Sequence, residues 1–292
     1  MTTLGAVFRP QLAPERLRPL VRTAEEAGLE ELWLWEDCFL ESGIAAASAA
    51  LAWTERLHVG VGLLPVPLRN VALASMEAAT LYRLFPGRVS LAVGHGVQDW
   101  MAQVGARPDS PMTLLGEYLA AMRGLLRGER VTTDGSYVTL DGVALDWPPA
   151  DAPPVFAGGV GPRTLRLTGA AADGTVLDTS VSADGVRRAR RLIEEGRAAA
   201  GRTQEGHHKV VVYLLAATGP GAADRLHDEL VRDGRESVPG LGAAGDAATV
   251  AKAVRELVDA GADTVVLQPT ADEPDPEGFV RFVAEGVRGL VP

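Results

Sequence analysis

The chain has 292 residues, 47% hydrophobic and 23% charged, and Asp plus Glu (38) outnumber Lys plus Arg (28) for a formal net charge of −10. Such a composition builds a large apolar core and excludes a disordered tail or a coiled coil, while the negative balance argues against nucleic acid as a partner. A lone cysteine, Cys38, rules out an intrachain disulfide and a Cys-rich zinc site and suits a reducing, cytoplasmic setting; no window approaches the ~20 apolar residues of a membrane span.

Short apolar or β-branched runs alternate with longer segments of helical period from the start of the chain. The spacing predicts strands over Thr3 to Arg9, Glu31 to Trp35, Leu57 to Leu64, Arg88 to Gly94, Pro154 to Ala157, Asp173 to Asp178, Lys209 to Ala217 and Asp263 to Gln268. The first helix, Pro14 to Ala27, carries Leu17, Leu20, Val21, Ala24 and Ala27 along one stripe and stops at Gly28. The same cadence returns near the end, with Asp246 as N-cap, Gly261 as terminator and Thr264 to Leu267 as a buried strand. Eight such units predict a (β/α)8 TIM barrel. An open doubly wound sheet is the structural alternative, but it places a glycine-rich phosphate loop after its first strand, and FRPQLAPER has no glycine.

At roughly 150 residues per domain the length permits two domains, yet such barrels use ~250 residues as one unit. No composition shift marks a linker, so residues 1–292 are expected to form one domain. Residues 131–154, VTTDGSYVTLDGVALDWPPADAPP, break the rhythm between the fourth and fifth units. Asp134-Gly135 and Asp141-Gly142 are expected turns of a small β insertion placed to cover one mouth of the barrel.

Barrel chemistry gathers where strands end. Strand two exits as WLWEDCF, bringing Glu36, Asp37, the Cys38 thiol and aromatic rings to one point of the rim. These residues suit acid–base work or a grip on a heteroaromatic ring; a capping carboxylate beside a buried cysteine is the other reading. Strand three carries Gly60 and Gly62 ahead of Pro65 and Pro67, which signals either a ligand lying against bare backbone or crowding inside the barrel. Strand four exits with His95 between Gly94 and Gly96, a proton-exchanging side chain or a hydrogen-bonded loop residue. Strand five leads through Gly158, Gly159, Val160 and Gly161 to Pro162 at a helix start. Amides there attract phosphate, with Arg163 and Arg166 adding charge; an ordinary tight turn is the alternative. H-E-x-x-H, G-x-S-x-G and Walker patterns are absent, and neither Lys209 at a strand start nor Lys252 in a helix is placed for Schiff-base chemistry.

In order, WLWEDCF, HVGVGLLPVP, GRVSLAVGHGVQDWMAQVG, PPVFAGGVGPRTLRLTGAAADGTVL and DAGADTVVLQP resemble the bacterial luciferase-like superfamily of flavin- and deazaflavin-dependent oxidoreductases, including its methylenetetrahydromethanopterin reductase branch, over about residues 3–290. The resemblance implies a TIM barrel whose rim binds coenzyme F420 or FMN. It implies a ring against Glu36, Asp37 and the Gly62, Leu63, Leu64 segment, with a bulge and a non-prolyl cis peptide at Gly62–Leu63. Gly94, His95 and Gly96 would line the cofactor's side chain and ring edge. Gly158, Gly159, Val160 and Gly161 would hold its phosphate near Arg163, and Thr179 and Ser180 would face the same cavity. Luciferase-like oxygenases often carry histidine after the second strand, where this chain has Asp37 and Cys38. That departure favours F420 and hydride transfer with a small organic substrate, the proton being handled by His95, Glu36 or Asp37. The alternatives are an FMN-dependent monooxygenase using O2, served by a flavin or F420 reductase, and a non-catalytic flavin-binding protein. The resemblance also implies a homodimer formed through outer helices.

Overall fold

The computed structural model describes residues 2–292. Its strands in chain order are β1 (Thr3–Val7), β2 (Glu31–Leu34), β3 (His58–Pro65), β4 (Val89–Gly94), β5 (Val131–Asp134), β6 (Thr139–Val143), β7 (Val155–Gly158), β8 (Gly174–Leu177), β9 (Lys209–Ala217), β10 (Gly242–Ala244) and β11 (Thr264–Pro269). Eight of them pair in parallel around a closed ring, β1-β2-β3-β4-β7-β8-β9-β11, with β11 bonded back to β1. This is the expected TIM barrel, each expected strand lying within two residues of its observed ends. The short β10 lies beside Leu215, Ala216 and Ala217 of β9. Its sequence, Gly-Ala-Ala, carries no β-branched or aromatic signal.

The helices are α1 (Leu17–Glu26), α2 (Gly43–Ala52), α3 (Val71–Leu84), α4 (Gln98–Gln103), α5 (Pro111–Leu126), α6 (Pro162–Ala171), α7 (Ala183–Ala199), α8 (Ala222–Arg232), α9 (Ala247–Asp259) and α10 (Pro276–Arg281). In α1, Leu17, Leu20, Val21 and Ala24 are buried, and Gly28 leaves the helix at φ 75°. The Asp246 side chain accepts from the Thr249 amide at 2.9 Å, the expected cap of α9.

Inside the ring, alternate residues point inward and must fill the bore. Trp33 and Phe156 do most of this, both buried. An aromatic side chain of this size removes ~200 Å² from water, worth roughly 5 kcal/mol before ordering costs. The neighbouring strands make room at the paired position by omitting side chains. A Cβ on Gly60 would lie 2.3 Å from the Trp33 ring, and one on Gly174 would lie 1.9 Å from the Phe156 ring. Crowding, not ligand approach, therefore explains Gly60. Below this layer Glu31 accepts from Trp33 Nε1 at 2.8 Å and pairs with Lys209 at 3.3 Å, giving the bore a polar floor.

The insertion departs from expectation in two ways. Asp134-Gly135 does open a turn, closed by the Gly135 amide donating to the Val138 carbonyl at 2.9 Å. Asp141-Gly142 is not a turn: it sits within β6, where the register against β5 shifts and Gly142 adopts φ 62°, a bulge that glycine tolerates. Nor does the hairpin cover the mouth. Glu117 of α5 accepts from the amides of Ser136, Tyr137 and Val138 at 2.8–3.0 Å, which holds the hairpin against the outer helical layer.

Candidate active site

A cavity of about 480 Å³ opens at the C-terminal ends of the barrel strands, within the range of small-molecule sites. One half of its wall comes from the β2, β3, β4 and β7 ends, the other from β8, β9, β11 and β1.

The first half is organised by β3. Its register against β4 shifts between Val61 and Leu64, and the Gly62–Leu63 peptide is cis, as the family resemblance implies. The bulge turns Leu63 into the barrel and Leu64 into the buried layer beneath the helices. Leu63 lies against bare backbone: a Cβ on Gly94 would stand 2.5 Å from its Cδ2, and one on Gly158 2.3 Å. The Tyr213 hydroxyl donates to the Gly62 carbonyl at 3.3 Å from across the bore. The resulting wall presents Trp35, Leu63, Val97 and Trp100, interrupted by Asp37 and His95.

Burial raises the Asp37 carboxyl above its usual range, opposed by a hydrogen bond from Trp35 Nε1 at 2.9 Å and by nearby Arg9. His95 Nδ1 lies 3.1 Å from the Pro111 carbonyl, which can only accept, so this nitrogen is assigned the hydrogen. Nε2 then faces the Thr164 hydroxyl at 3.3 Å as an acceptor. Burial lowers the His95 pKa against the opposing carbonyl contact, so the ring is neutral at pH 7. Glu36 also borders the cavity, but its carboxylate is committed. Arg69 donates to both oxygens, and the Gly43 amide at the start of α2 donates at 2.8 Å. The Cys38 thiol is pushed up by burial and then by Glu36 and Asp37, which suppresses its nucleophilicity. A second cis bond, Cys38–Phe39, follows it, with no local sequence signal.

Of the other residues singled out from sequence, Gly62, Leu63, Gly96, Gly158, Gly159 and Thr179 line the cavity. Gly94 lies under Leu63, and Val160 borders a neighbouring recess with Ser180. Gly161 is the N-cap of α6 with no side-chain cap, so the first amides of that helix lack such a partner, while Arg163 is exposed on its first turn. Lys209 is at the floor and Lys252 on the surface, away from the cavity.

The second half was largely missed from sequence. Its wall includes Arg9, Asp178, Thr179, Asp233, Arg235 and Gln268. Gln268 carries a legible signal, a lone amide at the end of the apolar run TVVLQP. Asp233 and Arg235 follow α8 in a loop with no strand before them, and nothing local foretells their return to the mouth.

A planar, partly apolar redox cofactor fits this geometry. The Leu63 and Trp35 side supplies an apolar face, and the uncapped start of α6 beside Gly158 and Gly159 supplies donors for an anionic group.

Comparison with known proteins places this geometry among relatives. Two 5,10-methylenetetrahydromethanopterin reductases are similar: that of Methanolobus tindarius at 29% identity over 61% of this chain and 54% of its own length, and that of Archaeoglobus fulgidus at 24% over 87% and 83%. The chain thus spans about half the length of the first and most of the second. The structure of the coenzyme F420 dependent tetrahydromethanopterin reductase from Methanopyrus kandleri superposes over 100% of this chain and 99% of its own, with a TM-score of 0.84 at 21% identity, a likeness of fold. Residues 3–231 match the family model described as luciferase-like monooxygenase, and the chain belongs to that family.

Proposed function

We propose that this chain is an F420-dependent oxidoreductase that exchanges hydride with a small organic substrate at the barrel mouth. The observation that carries it is the meeting of the Leu63 bulge with two ionisable groups at one rim, His95, whose burial favours the neutral ring, and Asp37, whose burial raises its carboxyl pKa. When bound, F420 supplies the hydride chemistry that side chains lack. Leu63 and Trp35 offer the ring an apolar seat, and the α6 amides with Gly158 and Gly159 hold its anionic part. Trp100 and Val97 add apolar surface at the edge of the cavity. Asp37 Oδ1, left free because Trp35 Nε1 donates to Oδ2, gives a proton to a carbonyl being reduced and takes the same proton back when the alcohol is oxidised, with His95 Nε2 as the other carrier at this rim. Glu36 positions the rim through Arg69.

Anaerobic titration of the purified chain with F420 and with FMN tests this. F420 is expected to bind at least about tenfold more tightly, a difference of ~1.4 kcal/mol. The reverse order, with O2 uptake coupled to product, would instead support the FMN monooxygenase and its reductase partner. Tight binding with no turnover of any reduced cofactor would support a flavin-binding protein. The working form is taken to be a cytoplasmic homodimer joined through outer helices, supported by exposed Leu73, Met76 and Leu84 on α3 beside exposed Trp147. Sedimentation velocity checks it, and a monomer at micromolar concentration rejects it.

A further inference from the structure

The β8, β9, β11 and β1 side of the mouth contains polar groups that the hydride chemistry does not use. Gln268 is 9% exposed, faces the cavity and makes no side-chain hydrogen bond among the described residues. An amide that opens into a cavity without a protein partner is hydrogen-bonded by whatever occupies the cavity, water or ligand. Two arginines share this wall in opposite conditions. Arg9 is held on two of its three nitrogens: Nη1 donates to Glu229 at 2.5 Å and to the Pro269 carbonyl at 2.9 Å, and Nε to Gln11 at 3.2 Å. Arg235 is not. Its nearest carboxylate, Asp233, stands 3.7 Å away with both side chains partly open to water, and its one side-chain hydrogen bond, to the Thr179 hydroxyl, is a long 3.5 Å. An open pair of that geometry is weak and yields readily to a better acceptor. The remaining carboxylate, Asp178, is turned onto the amide and hydroxyl of Ser180.

From this contrast between the two arginines, together with the unmatched amide, we infer that the substrate is a small anion. Its carboxylate or phosphate is taken by Arg235 with Thr179, and a hydroxyl or carbonyl on its carbon skeleton is taken by Gln268. A guanidinium binds either oxyanion through paired N–H donors, and an amide donates to a carbonyl and accepts from a hydroxyl, so Gln268 serves both oxidation states of one substrate. The inference deepens the F420 reading by naming the substrate class of the same site, but the binding groups belong to the chain itself.

Calorimetric titration with glycerate, glycerol 3-phosphate and glycerol, on the chain alone and on the chain loaded with F420, tests it. Wild type is expected to bind at least one anion about tenfold or more tightly than neutral glycerol. Preference for glycerate or for glycerol 3-phosphate identifies the oxyanion. Arg235→Gln is expected to abolish that preference, and Gln268→Leu to weaken the anion about threefold to tenfold while keeping the preference over glycerol; both should leave F420 affinity and the far-ultraviolet circular dichroism unchanged. Failure of both anions to bind wild type at millimolar concentration overturns the inference, as does full anion affinity in Arg235→Gln. An F420 affinity that falls in Arg235→Gln in step with anion affinity also overturns it, since the arginine would then grip the cofactor's tail. If F420 fails to bind while Arg235-dependent anion binding persists, the cofactor reading falls and this one stands.

Discussion

The two halves of the mouth are made of different material. On the β2, β3, β4 and β7 side the wall is backbone and apolar surface, and glycines at 94 and 158 leave room for one inserted side chain, Leu63. On the β8, β9, β11 and β1 side it is long polar side chains, Arg9, Asp233, Arg235 and Gln268, some satisfied internally and some not. A surface of packed backbone tolerates little change and suits a constant molecule. A surface of side chains can be altered one residue at a time and suits the variable partner in a family that shares one barrel.

The largest expected effect breaks the backbone-built half. Gly158→Val would place atoms inside the space of Leu63 and push it into the cavity; F420 affinity should fall about a hundredfold, read by titration, while thermal unfolding moves by only a few degrees. Unchanged affinity would mean that the Leu63 seat is not where the cofactor rests. Next in size, Asp37→Asn should slow single-turnover hydride transfer about tenfold to a hundredfold and remove one limb of its pH profile. In wild type, reduction should fall as pH rises through the raised Asp37 pKa, because only the protonated carboxyl donates. Glu36→Gln is the sharpening control: it breaks a buried ion pair and should cost about 2 kcal/mol of stability, with turnover per folded molecule within about threefold. Equal kinetic losses at both positions would restore Glu36 as a proton carrier.

The smallest expected effect on activity lies away from the mouth. Burial, reinforced by Arg197, Arg190 and Arg202, lowers the His208 pKa from 6.5 to about 3. The unfolded chain therefore binds a proton that the native chain refuses between those values, so His208 contributes a loss of stability as pH falls below 6.5 and nothing above it. His208→Gln should flatten the fall in unfolding midpoint between pH 6.5 and 4, and a slope equal to wild type would show that other groups govern it.

Periodicity made the barrel legible because each strand buried on both faces must be apolar throughout, and each helix must carry one stripe. Lys209 to Ala217 was readable to the residue for that reason. The backbone-built half was also legible, since glycines inside strands leave a mark in the sequence even though Gly60 proved to make room for Trp33. Asp141-Gly142 misled because a bulge and a turn ask the same of glycine. Arg235 was invisible because its place depends on how a loop after α8 folds back, a tertiary outcome with no periodic trace.

Trp33 and Phe156 close the bore beneath the cavity, so the mouth admits and discharges everything from one side. Two molecules that must meet there share one entrance, and both have to be present before either reacts. Steady-state kinetics should accordingly be sequential, with intersecting rather than parallel double-reciprocal lines.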